Sequence, residues 1–98
     1  YEIEGIGGDK LVGAMDFNVV DAFIPIGDGE SFLTAREIAQ NEGLFCGGSS
    51  GAVVAAARKY LVNNRDIEFP VIILADSGNR YLSKMYDDGW MRQMGYIQ

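Results

Sequence analysis

The sequence contains no histidine and only one cysteine, Cys46, among its 98 residues. A single cysteine cannot form a disulfide within the chain, and without histidine the usual sets of zinc ligands are very hard to assemble. Unpaired cysteine is typical of a reducing compartment. We therefore expect a cytoplasmic protein with no metal site and no internal disulfide.

Basic residues are also few, with eight lysines and arginines against fourteen aspartates and glutamates, a net charge of -6. Nucleic acids are bound by clustered lysine and arginine, so a nucleic-acid partner is not expected. The longest apolar runs, Ala52–Ala57 and Val71–Ala75, are far too short to cross a bilayer. A membrane partner is not expected either.

Short apolar segments alternate with segments of helical periodicity along the chain. Gly43 follows one helical segment at the position where a C-cap glycine is common. Such alternation is typical of βαβ units, in which ligands bind outside the carboxyl ends of the strands. We predict strands at Val19–Ile24, Leu44–Cys46 and Val71–Ala75, helices at Ser31–Glu42 and Ala52–Val62, and two short helices between Asn79 and Met94, separated around Gly89.

The most informative stretch is the glycine-serine turn Gly47–Gly51, at the predicted junction between a strand and a helix. Unpaired backbone N–H groups and the positive end of the helix dipole favour an electron-rich ligand atom at such a junction. A simpler interpretation is that Ser49 or Ser50 caps the helix while the glycines permit a tight turn. Capping and ligand binding are compatible, so both interpretations stay open.

Two other motifs are weaker. The turn also matches the G-x-S-x-G pattern of a hydrolase nucleophile, but that mechanism requires a histidine, which the chain does not contain. The segment Gly5–Gly8 resembles the start of a dinucleotide fingerprint, yet Lys10 stands where the third glycine belongs. Cys46 closes a buried strand without a histidine to activate it, which predicts a small core residue.

Several segments in combination are similar to the C-terminal half of the catalytic domain in the cystathionine β-synthase and cysteine synthase family. The similarity extends over nearly the whole chain, and Asp76–Ser83 also resembles the cysteine synthase branch. It implies that residues 1–98 are the C-terminal portion of a pyridoxal-phosphate (PLP) enzyme of fold type II, an α/β protein with three αβα layers. The segments that carry it are Glu4–Gly7, Glu42–Gly51, Ile73–Ser77 and Trp90–Tyr96.

The resemblance assigns Ser49 to the pyridine nitrogen of the cofactor. A neutral hydroxyl does not favour a protonated ring nitrogen, and the positive helix end disfavours it further. A less electron-withdrawing ring suits β-elimination. The other implied cofactor contacts are Gly5, Gly7, Asp76 and Ser77, and the implied substrate contacts are Gly5, Ile6 and Gly7.

The implied reaction is β-replacement on serine, with homocysteine as the thiol and cystathionine as the product. Cysteine synthesis from O-acetylserine and sulfide is the alternative within the family, and a non-catalytic α/β piece is the alternative outside it. Gly8 stands where animal-type cystathionine synthases carry an aromatic residue, which leaves the substrate choice open. The implied partners are small amino acids, the remainder of the catalytic domain and a second identical subunit.

The family's Schiff-base lysine and phosphate-binding loop would lie upstream of Tyr1. Lys10, Lys59 and Lys84 match no such motif. No catalytic residue is therefore assigned within this chain. We expect the 98 residues alone to be inactive, because Ser49 without the lysine and the phosphate loop can neither anchor nor activate the cofactor.

Overall fold

A computed structural model describes residues 16–98, and all regular elements in this range are helical. No strand forms within it, and the single β-type contact is an antiparallel bridge between Cys46 and Ser77. The predicted three-layer αβα architecture is therefore wrong for this structure. The elements are α1 (Asp28–Glu42), α2 (Gly48–Asn63) and α3 (Asp88–Gln93), with 3₁₀ turns at Phe17–Val19 and Gly78–Tyr81.

The three predicted strands fail for a common physical reason. A strand obtains its backbone hydrogen bonds from a neighbouring strand, and residues 16–98 provide none. The segment Val71–Ala75 has no regular structure, and the side chains of Val71 and Ile73 are 79% and 78% exposed. Only Cys46 of the second predicted strand is paired, and after the 3₁₀ turn ending at Val19 the first is irregular. Apolar composition alone was insufficient to predict strands.

The predicted helix at Ser31–Glu42 is confirmed as α1, which begins three residues earlier, at Asp28. Its N-cap is Gly27, and the Ser31 hydroxyl donates to the Gly27 carbonyl at 2.9 Å from inside the first turn. Gly43 ends the helix with a φ of 69°, in the left-handed region that favours glycine. Composition and capping residues thus located α1 correctly except at its first turn.

The second predicted helix is confirmed as α2, but it starts at Gly48 rather than at Ala52. The glycine-serine stretch is consequently the first turn of the helix and not a loop before it. Gly51 lies where α2 crosses α1, so closely that a Cβ atom there would overlap the Ser31 carbonyl oxygen. Glycine at this position allows the two helix backbones to approach.

The last third of the chain closes the core over α1. Ser77 caps the 3₁₀ turn by accepting from the Asn79 N–H at 3.2 Å. Gly89 lies inside α3 instead of separating two helices, because Asp87 caps α3 and accepts from the Gly89 N–H at 2.7 Å. The buried core is formed by Phe32, Ala35, Ile38, Cys46, Tyr81, Met85 and Met91.

An ion pair joins α1 to the start of α3. Arg36 donates to the carboxylate of Asp88 and, at 3.2 Å, to the Met85 carbonyl. The hydrogen bond and charge of the Arg36 guanidinium lower the pKa of Asp88 below its ordinary value. Because the pKa is lower when folded, the pair stabilises the fold above the unfolded-state pKa and loses this effect as pH falls through the folded-state value.

We therefore expect the melting temperature of the wild type to fall more steeply than that of Asp88→Asn as the pH is lowered from about 5 to about 3. The asparagine retains the side-chain shape but does not titrate. Both proteins would be compared by thermal unfolding at several pH values. Asp66→Asn is the control for general charge loss, because Asp66 is exposed and forms no ion pair within residues 16–98. Parallel curves for wild type and Asp88→Asn would contradict this account of the ion pair.

Candidate functional site

The candidate site is the first turn of α2. Gly47 is the N-cap in an extended conformation and offers no side chain to the free backbone N–H groups, while its carbonyl accepts from the Gly51 N–H at 3.3 Å. The N–H groups of Gly48, Ser49 and Ser50 precede the first intrahelical donor and have no acceptor within the helix. The positive end of the helix dipole adds to their effect. This turn is therefore suited to an electron-rich ligand atom.

Two consecutive hydroxyls lie in this turn. Ser49 is half-buried, and no side-chain hydrogen bond joins it to another residue of the range 16–98. Ser50 is fully buried, and within residues 16–98 its Oγ has no hydrogen-bond partner apart from a weak interaction with the nearby Cys46 thiol. Buried hydroxyls normally have partners. Neither serine caps α2, so the capping interpretation is not supported.

Asp76 lies directly against the N-cap of α2. Its backbone carbonyl accepts from the Gly47 N–H at 3.1 Å, and its carboxylate lies so close to Gly47 that a Cβ atom there would overlap Oδ1. Oδ2 accepts from the Tyr81 hydroxyl at 3.0 Å, whereas Oδ1 is buried without a hydrogen-bond partner in the described part of the chain. A carboxylate and a helix N-terminus attract each other electrostatically. Asp76 and the first turn of α2 thus form one polar cluster.

Further contacts hold this cluster to the Cys46 segment. Gly78 donates its N–H to the Phe45 carbonyl at 3.2 Å, next to the bridge between Cys46 and Ser77. Tyr86 donates its hydroxyl to the Cys46 carbonyl at 2.6 Å. Burial raises the pKa of Tyr86 to about 12 and also raises the pKa of the Cys46 thiol, so both groups remain neutral near pH 7. Tyr86 and Cys46 therefore lie beside the site as uncharged structural residues.

The structure brings together two of the residues that the sequence indicated. Ser49 and Asp76 both lie at the start of α2, and Ser77, which is exposed, uses its hydroxyl to cap the 3₁₀ turn. Gly5, Ile6 and Gly7 lie outside the described residues. Cys46 is 3% exposed and belongs to the core, as predicted.

Sequence reasoning assigned no role to the hydroxyls of Tyr81 and Tyr86, which lie in the segment where two short helices were predicted. The Tyr81 hydroxyl donates to Asp76 of the polar cluster, and the Tyr86 hydroxyl donates to the Cys46 carbonyl outside it. The available indication was that buried tyrosine generally needs a partner for its hydroxyl. Leucine or phenylalanine would have filled the same volume without that requirement.

Among residues 16–98, no three acidic, cysteine or histidine side chains lie close enough to hold a metal ion, and no cavity is enclosed. The same range contains no helix long and apolar enough to cross a membrane. The polar groups at the start of α2 therefore form an open cluster with a free hydroxyl at Ser49 and an electropositive helix end. Such a cluster can donate to or accept from a neutral or negatively polarised ligand atom.

The sequence of the chain can be compared with those of known proteins. Over its whole length, the chain is similar to cystathionine β-synthase. It is 43% identical over 98 residues to cystathionine β-synthase of Apis mellifera and 42% identical over 98 residues to that of Rattus norvegicus. The protein of Saccharomyces cerevisiae is 35% identical over 96 residues. No family model matches the chain.

The chain spans about a fifth of the curated relatives that it matches, 19% of the Apis mellifera protein and 18% of the Rattus norvegicus protein. The match is nevertheless continuous, because it covers 100% of this chain in both cases. The similarity therefore includes the first turn of α2, the Asp76 segment and the α3 region. The resemblance expected from the sequence motifs is confirmed in this respect: the matched relatives are named cystathionine β-synthase.

Proposed function

We propose that the chain is the C-terminal portion of the catalytic domain of a PLP-dependent enzyme that condenses serine with homocysteine to form cystathionine. The observation that carries the proposal is the full-length similarity to cystathionine β-synthases at 35–43% identity. The polar cluster at the start of α2 supports it independently, since the comparison makes no use of geometry. The rest of the catalytic domain and a second subunit are the proposed partners.

The residues of the cluster fit the ring-nitrogen end of PLP. A pyridine nitrogen that is not protonated is an acceptor, and a serine hydroxyl can donate to it. Ser49 is half-buried at an electropositive helix end and has no competing side-chain partner in residues 16–98. The buried and unpartnered oxygens of Ser50 and Asp76 show that this region is built with polar groups rather than apolar packing. Ser49 would hold the ring nitrogen.

Bound PLP would supply an electron sink for negative charge that develops on the substrate amino acid. The chain's own contribution is to set the electronic character of that sink. The Ser49 hydroxyl is neutral and does not stabilise a positive charge on the nitrogen, and the α2 dipole opposes such a charge. The Asp76 carboxylate lies against Gly47 with Oδ2 bonded to Tyr81, so its negative charge is close to the helix end.

The second candidate is cysteine synthase activity, which uses O-acetylserine and sulfide. The observation that favours it is in the sequence, where Asp76–Ser83 resembles the cysteine synthase branch and Gly8 replaces an aromatic residue. The described structure includes the first of these segments, in which Tyr81 donates to Asp76 of the cluster and Ser77 caps the 3₁₀ turn. In both activities Ser49 would hold the ring nitrogen of PLP. They differ only in the leaving group and the thiol.

Product analysis of the full-length protein discriminates the candidates. With PLP present, we expect cystathionine from L-serine and homocysteine, detected by mass spectrometry. A higher kcat/KM for cysteine formation from O-acetylserine and sulfide would instead establish the second candidate. The 98-residue chain serves as the control, and we expect no product from it. A full-length protein that binds no PLP would contradict both activities and indicate a non-catalytic role.

A further inference from the structure

Tyr81 is a buried residue with a polar function. Its side chain is 2% exposed and belongs to the hydrophobic core, yet its hydroxyl donates to Asp76 Oδ2 at 3.0 Å. A hydrogen bond to a carboxylate is stronger than one between neutral groups. The ring of Tyr81 is held by core packing, so the hydroxyl has a fixed position. Asp76 is only half-buried and therefore depends on such a contact for its orientation.

Asp76 connects the Tyr81 hydroxyl to the start of α2. Its backbone carbonyl accepts from the N–H of Gly47, the residue that caps the helix, and its Oδ1 is in contact with the Gly47 backbone. Within residues 16–98, Oδ1 is buried without a hydrogen-bond partner. The bond from the Tyr81 hydroxyl to Oδ2 is therefore the one side-chain hydrogen bond of this carboxylate in that range. Ser49 is two residues beyond Gly47, in the same helical turn.

We infer that Tyr81 is a positioning residue for the cofactor site: its hydroxyl orients Asp76 against Gly47 and thereby fixes the first turn of α2 and Ser49. This inference rests on the proposed function, because it assigns Tyr81 a role toward the ring nitrogen of PLP. Tyr81 itself acts through Asp76 and is not assigned a contact with the cofactor. Without its hydroxyl, Oδ2 also loses its buried partner, and the carboxylate turns toward water.

The test compares single-atom changes in the full-length protein. Tyr81→Phe removes the hydroxyl and keeps the ring in the core. We expect it to weaken PLP binding about tenfold, since a hydrogen bond to a charged group is lost, and to change the absorption maximum of the bound cofactor. PLP affinity is measured by titrating the apoprotein, and the melting temperature of the apoprotein is recorded for every variant.

Tyr86→Phe is the matched control, because it too removes a single tyrosine hydroxyl near the site. This hydroxyl donates to a backbone group, the Cys46 carbonyl, at 2.6 Å. We expect a comparable loss of apoprotein stability but PLP binding within about twofold of the wild type. A double-mutant cycle with Asp76→Asn tests the route. If Tyr81 acts through Asp76, Tyr81→Phe has little further effect on PLP affinity in the Asp76→Asn background.

Three results would overturn the inference: wild-type PLP affinity in Tyr81→Phe, an equal loss of affinity in Tyr86→Phe, or full additivity with Asp76→Asn. Each of these would leave the proposed function intact if the wild type binds PLP and Ser49→Ala weakens that binding. A wild type that binds no PLP would overturn both the inference and the proposed function. The two failures are therefore distinguishable.

Discussion

Alanine at position 51 is expected to destabilise the protein by about 3 kcal/mol, because overpacking at a close contact forces the surrounding backbone to move. A Cβ atom on Gly51 would overlap the Ser31 carbonyl oxygen and lie 3.0 Å from the Ala35 Cβ. Alanine in a helix interior is otherwise favoured over glycine by about 1 kcal/mol. The overlap is the larger effect, so the sign of the change is destabilising.

Urea unfolding followed by circular dichroism would measure this difference. Gly27→Ala is the control, since it is the same chemical change at the N-cap of α1, where a Cβ atom would meet nothing within 4 Å. We expect a smaller loss of about 1 kcal/mol for the control, because alanine is a poorer N-cap than glycine but meets no overlap there. Equal stability of Gly51→Ala and wild type would show that α1 and α2 are not in close contact at Ser31. The described arrangement of these helices would then be incorrect.

Ser49→Ala in the full-length protein is expected to lower kcat/KM by about ten- to a hundredfold. The physical reason is that the ring nitrogen would lose its hydrogen-bond partner at a half-buried position, where an unsatisfied polar group is costly. Folding should be nearly unaffected, because the Ser49 hydroxyl makes no hydrogen bond to other residues of the range 16–98. Steady-state kinetics with serine and homocysteine provide the measurement.

Two variants control for this result. Ser83→Ala removes an exposed hydroxyl outside the first turn of α2 and should retain wild-type kinetics. Ser49→Thr keeps a hydroxyl at the site and should retain more activity than Ser49→Ala. Wild-type kcat/KM in Ser49→Ala would show that this serine does not contact the cofactor. Equal losses in the alanine and threonine variants would assign the effect to side-chain shape rather than to the hydroxyl.

The helices could be predicted from the sequence because local interactions determine them. Apolar spacing and the C-cap at Gly43 located α1 and α2 in the correct places. The starts were misplaced because Gly27 and Gly47, which have no capping side chain, serve as N-caps. Helix ends of this kind have no strong residue signature. Ser31, where the helix was predicted to begin, lies inside the first turn and its hydroxyl donates to the Gly27 carbonyl.

The strands could not be predicted reliably because they depend on partners distant in sequence. Val71–Ala75 has the composition of a buried strand, yet Val71 and Ile73 are largely exposed in this structure. β-branched residues favour a half-buried strand surface, but their presence does not show that a neighbouring strand exists. Without pairing in residues 16–98, the preference has no effect on the observed structure.

The site was partly predictable for a similar reason. The glycine-serine turn at a predicted helix start indicated a ligand site, which is a local pattern, whereas Ser49 and Asp76 were assigned to the cofactor through the family resemblance. Ligand sites were expected at the carboxyl ends of predicted strands, but the structure brings Ser49 and Asp76 together through Gly47 and the isolated bridge at Cys46. The tyrosine at position 81 could not be recognised, because its partner is determined by tertiary packing.

The central claim is that the first turn of α2 binds the ring-nitrogen end of PLP, and a visible absorption scan of the full-length protein tests it most directly. PLP is added to the wild type and to Ser49→Ala, and spectra are recorded before and after L-serine. We predict a bound-cofactor band in the wild type that shifts with L-serine, and weaker binding or a smaller shift in Ser49→Ala. A wild type that remains colourless with added PLP, or identical spectra for the two proteins, would contradict the claim.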